Sequence, residues 1–251
     1  MFSTSLLDPR GGDHKRRPDP ISTESSYYDS HLDCTILTTT PTRRPELWKA
    51  FIDGALESYS HFGVDKALEY DRIADGSSTS RFFVALDDDG DTIGGFRVQG
   101  PYSLPHQTHA DIEWADSRPG RTALRAMVSE RLAHGVVEMK AVWSAVNRPR
   151  RGSPGYLGAI GASLAAVAAG SRFTLATGAD HAVDNYLDSG AVVAAHIDAV
   201  PYPDNRYRTR VLWWDQHTVL SYATAERQQQ IAHAVAALLD GPDISTEAEA
   251  S

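Results

Sequence analysis

The segment Val136–Gly155 (VVEMKAVWSAVNRPRRGSPG) most constrains what this chain can fold into. An apolar run typical of a buried strand enters a turn rich in arginine and glycine, and the Ala/Gly-rich run after it predicts a helix packed closely on a sheet. Glycine lets the backbone approach a ligand, helix-start N–H groups point outward, and guanidinium groups add charge-assisted hydrogen bonds. The segment therefore predicts a phosphate-binding turn between a central strand and a helix. The candidate phosphate ligands are Arg148, Arg150, Arg151, Gly152, Ser153 and Gly155.

Composition limits the classes of function open to the chain. Its 251 residues carry a formal net charge of −9, whereas a general nucleic-acid binder would carry a basic surface. The one cysteine, Cys34, excludes a disulfide framework and a cysteine zinc site, which favours a reducing, cytoplasmic location. No stretch has the form of a secretory signal, and the longest small-apolar run, Leu157–Gly170, is too short to span a membrane. The excess of arginine over lysine is typical of a high-GC bacterial coding sequence.

The order of predicted elements indicates a single mixed α/β domain over residues 31–240. Residues 1–30 predict a polar, unstructured tail, and the acidic residues 241–251 predict another. Two interpretations remain for the terminal helix and Trp213-Trp214: they form a homodimer surface, or they complete the hydrophobic core. The predicted strands are Asp33–Thr39, a hairpin within Arg81–Pro101, Gly135–Val146, Phe173–Thr177, Ala191–Ile197 and Arg208–Trp214. The predicted helices are one beginning at Pro45, then Asp65–Ala74, Arg121–Ala133, Tyr156–Ala169, His181–Ser189 and Ala223–Leu239.

Between Asp33 and Asp215 this order resembles the fold of the GNAT-type acyl-CoA N-acyltransferases. The likeness is strongest at HAVDNYLDSGAVVAAHID, where Asn185, Tyr186 and Gly190 match the family's Asn…Tyr-x-x-x-Gly-Phe pattern and Ala191 replaces the aromatic residue. The GGFRV and PYPDNRYRT segments are similar to the subset that includes autoinducer synthases and N-acyl amino acid synthases. The arginine–glycine turn departs from the family's Gln/Arg-x-x-Gly-x-Gly/Ala loop.

The resemblance implies a central mixed, mostly antiparallel sheet flanked by helices. It also implies transfer of an acyl group from acyl-CoA, or from the acyl-phosphopantetheine of an acyl carrier protein, to the amine of a small molecule. Tyr186 would protonate the leaving thiolate, backbone N–H groups near Val142–Ala145 would bind the oxyanion, and Asn185 would lie among the donor-binding residues. No metal is required. Because the phosphate loop departs from the family pattern, a non-catalytic GNAT-like binding or interaction module is the alternative.

Two carboxylates are candidates for the base that deprotonates the amine, or for a group that anchors its ammonium form. Glu138 lies inside an apolar strand, where an unpaired carboxylate would be unfavourable and would therefore be suited to take up a proton. Its structural alternative is an ion pair with Lys140 or with an arginine such as Arg97. Arg97 itself is open either as a bidentate ligand of a substrate carboxylate or as a structural partner.

Glu113 is the second candidate base, in a segment for which the alternation predicts a short strand, His109–Trp114. In a strand, His109, Asp111 and Glu113 would share one face. One histidine with two carboxylates is a set that can hold a metal, but an ordinary amphipathic strand explains the same alternation, and we expect none. The set also suits the polar wall of an acceptor pocket.

Overall fold

Eight strands form one sheet in the part of the chain that the structure describes, a computed structural model covering residues 24–146 and 153–242. The strands are β1 (Ser25–Asp29), β2 (Cys34–Thr39), β3 (Arg81–Leu86), β4 (Thr92–Gln99), β5 (Val136–Ser144), β6 (Phe173–Ala179), β7 (Val192–Val193) and β8 (Thr209–Asp215). Their spatial order is β1-β2-β3-β4-β5-β6-β8-β7. All neighbours are antiparallel except β5 and β6, which run parallel. The mixed, mostly antiparallel sheet predicted from the sequence is thus confirmed.

Helices cover both faces of the sheet. On one face α5 packs on β4, β5 and β6, and α8 packs on α5. On the other face α1 packs on β4 and β5, while α3 and α4 cover the start of β5 and β6. The helices are α1 (Pro45–His61), α2 (Tyr70–Ile73), α3 (Ala110–Glu113), α4 (Arg118–Ser129), α5 (Ser153–Ala168), α6 (Val183–Asp188), α7 (Val219–Tyr222) and α8 (Ala225–Asp240). Short 3-10 turns lie at Asp65–Ala67, Pro105–Gln107, Leu132–His134 and Asp180–Ala182.

The small residues of α5 let this helix lie very close to the sheet. A Cβ atom added at Gly161 would stand 2.9 Å from the Met139 sulfur and 3.0 Å from the Phe96 ring. Because interiors are packed as densely as organic crystals, a larger residue there would have to displace the Met139 or Phe96 side chain. The contact fixes the central strands against α5. None of the helices in the described ranges is long and apolar enough to cross a membrane.

Three predictions about the elements are wrong. Ser25–Asp29 is not part of a tail, because it pairs with β2 along its whole length. His109–Trp114 is not a strand, because residues Ala110–Glu113 form helix α3. The predicted strand Ala191–Ile197 shortens to the two residues of β7, an edge strand that pairs only with β8. The predicted helix Asp65–Ala74 is divided into the 3-10 turn Asp65–Ala67 and the short helix α2, and the other predicted helices and strands are present, with ends shifted by a few residues.

The edge strand β1 is anchored by a buried carboxylate at its end. Asp29 is fully buried and accepts hydrogen bonds from the backbone N–H groups of His31 (2.9 Å) and Leu32 (3.0 Å). Its other oxygen accepts one from the Tyr156 hydroxyl at 2.6 Å, which ties β1 to the start of α5. Buried polar groups that lose their partners are strongly destabilising.

We expect Asp29→Ala to lower the free energy of unfolding by about 3 kcal/mol, because it leaves two N–H groups and a tyrosine hydroxyl without an acceptor. Urea titration followed by circular dichroism measures the change. Asp89→Ala, in the exposed β3–β4 turn, is the matched control and should change stability little. Equal stability of the two variants would contradict the packing of β1 against α5.

Candidate functional site

The site begins where β5 and β6 separate. The two parallel strands pair at only three positions, Val136 with Phe173, Val137 with Thr174, and Glu138 with Leu175. Beyond these pairs β5 continues to Ser144 and β6 to Ala179 without pairing to each other. Unpaired strand edges leave backbone N–H and C=O groups available to a ligand. The sheet therefore opens into a wedge-shaped cleft in its centre.

A β-bulge in β5 accompanies this separation. The register between β4 and β5 shifts between Gly95 and Arg97, so that β5 carries one more residue than β4 at this point. Ala141 lies in the bulge with φ of 49°, a left-handed conformation that is unfavourable for a residue with a side chain. Strained backbone of this kind clusters at binding and catalytic sites. The bulge turns the end of β5 away from β6.

The cleft contains a cavity of about 670 Å³, a volume suited to a small-molecule ligand. Residues Met139–Val146 of the β5 segment form one wall and Ala176–Ala179 of β6 the other. The remaining described lining comes from the end of α1 and the segment after it up to Ala67, from His181, Ala182 and Tyr186 at α6, and from the loop between β7 and β8 with the first residue of β8. Aromatic rings dominate that part of the wall, supplied by Tyr59, Phe62, Tyr202 and Tyr207.

Tyr186 lies on the cavity wall where the resemblance to the family predicts a proton donor. Its ring lies between two glycines, since a Cβ atom at either Gly158 of α5 or Gly178 of β6 would stand 3.1 Å from it. The edge of the ring faces Trp214, with centroids 5.6 Å apart. Burial raises the pKa of Tyr186, so its hydroxyl keeps its proton at neutral pH. The structure thus presents a protonated hydroxyl group in a fixed position.

Of the backbone N–H groups predicted near Val142–Ala145, those of Trp143 and Ala145 face β4 and not the cleft. The Ala145 N–H group donates to the Ile93 carbonyl at 2.9 Å, on the β4 side, and so is not available to a ligand. Successive N–H groups of a strand point to opposite edges, so the Ser144 N–H group points to the cleft. Val142 lines the cavity within the bulge.

The residues predicted to bind phosphate fall largely outside the described residues. Arg148, Arg150, Arg151 and Gly152 belong to the segment 147–152, and Ser153 is described only as the first residue of α5. Gly155 lies in the first turn of α5, and a Cβ atom there would stand 4.0 Å from the exposed Asn185 side chain. Asn185 and the beginning of α5 are therefore neighbours, as the predicted donor site requires.

Glu138 is fully buried and holds α3 in place. Its Oε2 atom accepts from the Tyr102 hydroxyl at 2.8 Å and from the His109 N–H group at 2.6 Å. Its Oε1 atom accepts from the Ala110 N–H group at 3.0 Å, so the carboxylate caps the helix start. The structural alternative, an ion pair with Lys140 or Arg97, is not what the structure shows, because the hydrogen-bond donors to Glu138 are a tyrosine and two backbone groups. Glu138 does not line the cavity, and its role as a base stays a prediction.

Glu113 is also buried, but its partners are charged. Its Oε1 atom accepts from the Lys140 ammonium, from Thr177 Oγ1 at 3.0 Å, and lies 2.8 Å from His109 Nδ1. Its Oε2 atom has no hydrogen-bond partner in the described structure. Burial by itself would raise the pKa of Glu113, but Lys140 and His109 outweigh it and lower the pKa to about 2. Glu113 is therefore a permanent anion at neutral pH.

The histidine and two carboxylates predicted to share a face are separated by α3. Residues four apart in a helix are neighbours, so His109 and Glu113 contact each other. Asp111 instead forms ion pairs with Arg121 (2.6 Å) and Arg125 (2.5 Å) of α4. Within the described residues no three histidine, cysteine or acidic side chains are grouped as metal ligands.

Arg97 is buried beside the cavity and does not line it. Its Nη1 atom lies 3.3 Å from Thr79 Oγ1 and 3.5 Å from Ser78 Oγ, and its Nε atom has no partner in the described structure. Burial lowers the pKa of Arg97, and the negative charge of Glu138 opposes this change. Carboxylate binding by Arg97 stays a prediction.

Glu69, His109, Glu113 and Lys140 form one cluster of charged and polar contacts, and the sequence analysis missed the contributions of Glu69 and Lys140 to it. Glu69, at the start of α2, lies 3.1 Å from His109 Nε2, and Lys140 on β5 was considered only as a partner of Glu138. Glu69 has a φ of 50°, unusual for a residue with a side chain. Its surroundings in the sequence carry no motif, because its partner is 40 positions away in the chain. The carboxylates of Glu69 and Glu113 raise the pKa of His109, although burial and Lys140 act in the opposite direction.

The lowered pKa of Glu113 predicts a specific loss of stability in acid. A carboxyl group whose folded-state pKa is depressed stabilises the fold above its ordinary value of 4.5 and loses that effect as the pH falls toward about 2. The contribution should fall by about 2 kcal/mol between pH 6 and pH 3. Urea unfolding at several pH values should show a shallower pH dependence for Glu113→Gln than for the wild type. Glu130→Gln, at an exposed position, should retain the wild-type slope; matching slopes for all three proteins would contradict the ion pair.

Comparison with known proteins identifies relatives and the fold. No protein-family model matches the chain. Over 205 residues the chain is 40% identical to the uncharacterized proteins Rv1356c of Mycobacterium tuberculosis and Mb1391c of Mycobacterium bovis, covering 81% of this chain and 77% of each relative. The structure of FeeM, an N-acyl amino acid synthase from uncultured soil microbes, aligns with a TM-score of 0.51 at 13% identity, covering 72% of this chain and 97% of FeeM. The chain therefore belongs to the same family as these mycobacterial proteins, and it has a GNAT-like fold, which it shares with FeeM.

Proposed function

We propose that this chain is an N-acyltransferase that moves an acyl group from a thioester donor, acyl-CoA or acyl carrier protein, to the amine of a small molecule. The observation that carries the proposal is the central cleft, which has an unpaired strand edge on one side and the Tyr186 hydroxyl on another. These are the two kinds of hydrogen-bond donor that acyl transfer from a thioester needs. FeeM, which shares the fold, is an N-acyl amino acid synthase.

In this reaction the amine nitrogen attacks the thioester carbonyl carbon, and the C–S bond then breaks. The developing oxyanion accepts hydrogen bonds from backbone N–H groups at the β5 bulge, such as that of Ser144. Tyr186 donates its proton to the leaving thiolate, and the proton released by the amine restores the tyrosine through solvent. A thiolate leaves more readily when an acid is already in position, so this hydroxyl increases the rate of chemistry more than the affinity for the donor.

The donor phosphates are assigned to the beginning of α5. Backbone N–H groups at a helix start are unpaired and carry partial positive charge, which suits a pyrophosphate or a phosphopantetheine. Gly155 and the neighbouring Asn185 supply the described part of this site. Arg148, Arg150, Arg151 and Gly152 complete it in the proposal, with charge-assisted hydrogen bonds. The same arginines would also dock an acidic carrier protein.

One observation favours the alternative, a GNAT-like binding module without catalysis. Both candidate bases are engaged with internal partners, Glu138 with three donors and Glu113 with an ammonium and an imidazole. A carboxylate with a pKa of about 2 is a weak proton acceptor. In the catalytic proposal the acceptor therefore loses its proton to water or arrives as the free amine. Formation of an amide product from any thioester and amine decides between the two functions.

We expect Tyr186→Phe to lower kcat by about 100-fold and to change the KM for the donor less than about twofold, because only the proton donor is removed. Thiol release in the presence of a thiol-reactive dye measures both constants. Tyr222→Phe, which removes an exposed hydroxyl, is the matched control and should leave both constants unchanged. Unchanged turnover in Tyr186→Phe would remove this residue from the mechanism.

Thermal stability tests the donor site directly. CoA thioesters from acetyl to palmitoyl should raise the melting temperature in a chain-length-dependent way, because ligands that bind only the native state stabilise it. The rise should disappear in the Arg150→Ala/Arg151→Ala double variant. A double variant at two exposed cations on other helices, Lys49→Ala/Arg118→Ala, should keep it. No rise with any thioester would exclude a CoA donor and leave acyl carrier protein or the non-catalytic module.

A further inference from the structure

The described part of the cavity wall carries a positive charge and no negative one. Among the described residues that line the cavity there is no aspartate or glutamate, and the charged side chain is that of Lys140. His181 also lines it, from an exposed position beside Tyr207. A cavity of this kind disfavours a second cationic group on the acceptor, because no carboxylate compensates for the loss of its hydration. It favours an acceptor that carries a negative charge near the amine.

Lys140 is held so that part of its ammonium group stays available. Its Nζ atom donates to Glu113 Oε1 and, at 3.1 Å, to Thr177 Oγ1. An ammonium has three hydrogens, and the third has no acceptor among the described residues. The side chain is 11% exposed, and Lys140 is one of the residues that line the cavity. A ligand oxygen can therefore bind without breaking either existing contact.

A chain of contacts behind Lys140 fixes this position. Glu113 contacts His109 Nδ1 at 2.8 Å, and His109 Nε2 contacts Glu69 Oε2 at 3.1 Å. Glu69 also pairs with Arg72 at 3.2 Å, and the chain reaches the surface there. Carboxylates alternate with basic side chains along this chain, so each carboxylate has a basic group beside it. None of Glu69, His109 and Glu113 lines the cavity, which makes them positioning residues.

We propose that Lys140 binds the carboxylate of an acceptor that carries an amine and a carboxylate together, and that Glu69, His109 and Glu113 position its ammonium for this role. The inference rests on the proposed function for the identity of the site. The tyrosine and phenylalanine rings around the cavity provide the surface for an apolar side chain on the same acceptor. Arg97 does not line the cavity, so among the described residues Lys140 is the cation that this acceptor meets.

Pairs of amines that differ only in the carboxylate test the proposal. L-phenylalanine is compared with phenethylamine, and L-leucine with 3-methylbutylamine, using one acyl-CoA donor. The wild type should prefer the amino acid of each pair in kcat/KM. In Lys140→Met the preference should fall by about 10- to 100-fold, the usual effect of removing a hydrogen bond to a charged group. The loss should appear mainly in the KM of the amino acid, and Lys140→Arg should restore part of it.

The positioning residues have a test of their own. Glu113→Gln and His109→Gln leave the Lys140 charge in place but remove its orientation, so both should raise the KM of the amino acid and leave the KM of its decarboxylated partner nearly unchanged. Lys66→Met, which removes an exposed cation next to the cavity residue Ala67, is the matched control and should retain the wild-type preference. If Lys140→Met does not fold, Glu113→Gln/Lys140→Met replaces the buried ion pair with two neutral side chains and carries the same expectation.

Direct binding separates this proposal from the proposed function. Calorimetric titration of L-phenylalanine and phenethylamine into wild type and Lys140→Met needs no turnover. Carboxylate-dependent binding that Lys140→Met abolishes supports the site even if no thioester is ever consumed. Turnover that shows no preference for the amino acid of any pair overturns the site and leaves the acyltransferase proposal intact. An equal fall of kcat for both members of a pair in Lys140→Met also overturns it, since the ammonium would then act on the thioester oxygen.

Discussion

Three residue pairs hold β5 beside β6, and every candidate functional group depends on the separation of the two strands beyond them. Separation on its own would expose backbone groups without partners, which is unfavourable in the interior of a sheet. The extra residue at Ala141 lets β5 keep its pairing with β4 while its other edge turns toward the cavity. The strained left-handed conformation of Ala141 therefore accompanies the opening of the candidate cleft in the middle of the sheet.

The two buried glutamates near the cleft show how charge is distributed around it. Glu138 accepts from backbone N–H groups and a hydroxyl, so it fixes the beginning of α3 and contributes no free charge. Because Glu138 fixes the beginning of α3, the last residue of this helix, Glu113, contacts Lys140, which lies on β5 like Glu138. The strand therefore supplies both the anchor of the helix and the cation that the helix positions. Removing either carboxylate would disturb the same ammonium, by different routes.

Most of the fold could be predicted from the sequence, since apolar periodicity and glycine turns are local signals, as in the β3–β4 hairpin. The error at His109–Trp114 has a local cause too: the alternation of polar and apolar residues over these six positions fits a strand, but the spacing of four between His109 and Glu113 fits a helix turn equally well. What decides for the helix is Glu138, far away in the chain, which supplies the acceptor for the first N–H groups. The contact between Glu69 and His109 is equally non-local, so no sequence motif predicts it.

Tyr186 shows why a candidate residue in a matching motif still depends on the rest of the fold. Its ring occupies space left by Gly158 on α5 and Gly178 on β6, where side chains would collide with it. The small residues of α5 could be interpreted from the sequence only as close packing on a sheet. In the structure Gly161 allows this close packing on the sheet, and Gly158, one turn earlier, leaves space for the Tyr186 ring. The position of the Tyr186 hydroxyl therefore depends on the absence of a side chain at Gly158 and Gly178, and a larger residue at either position would push against the ring and displace the hydroxyl.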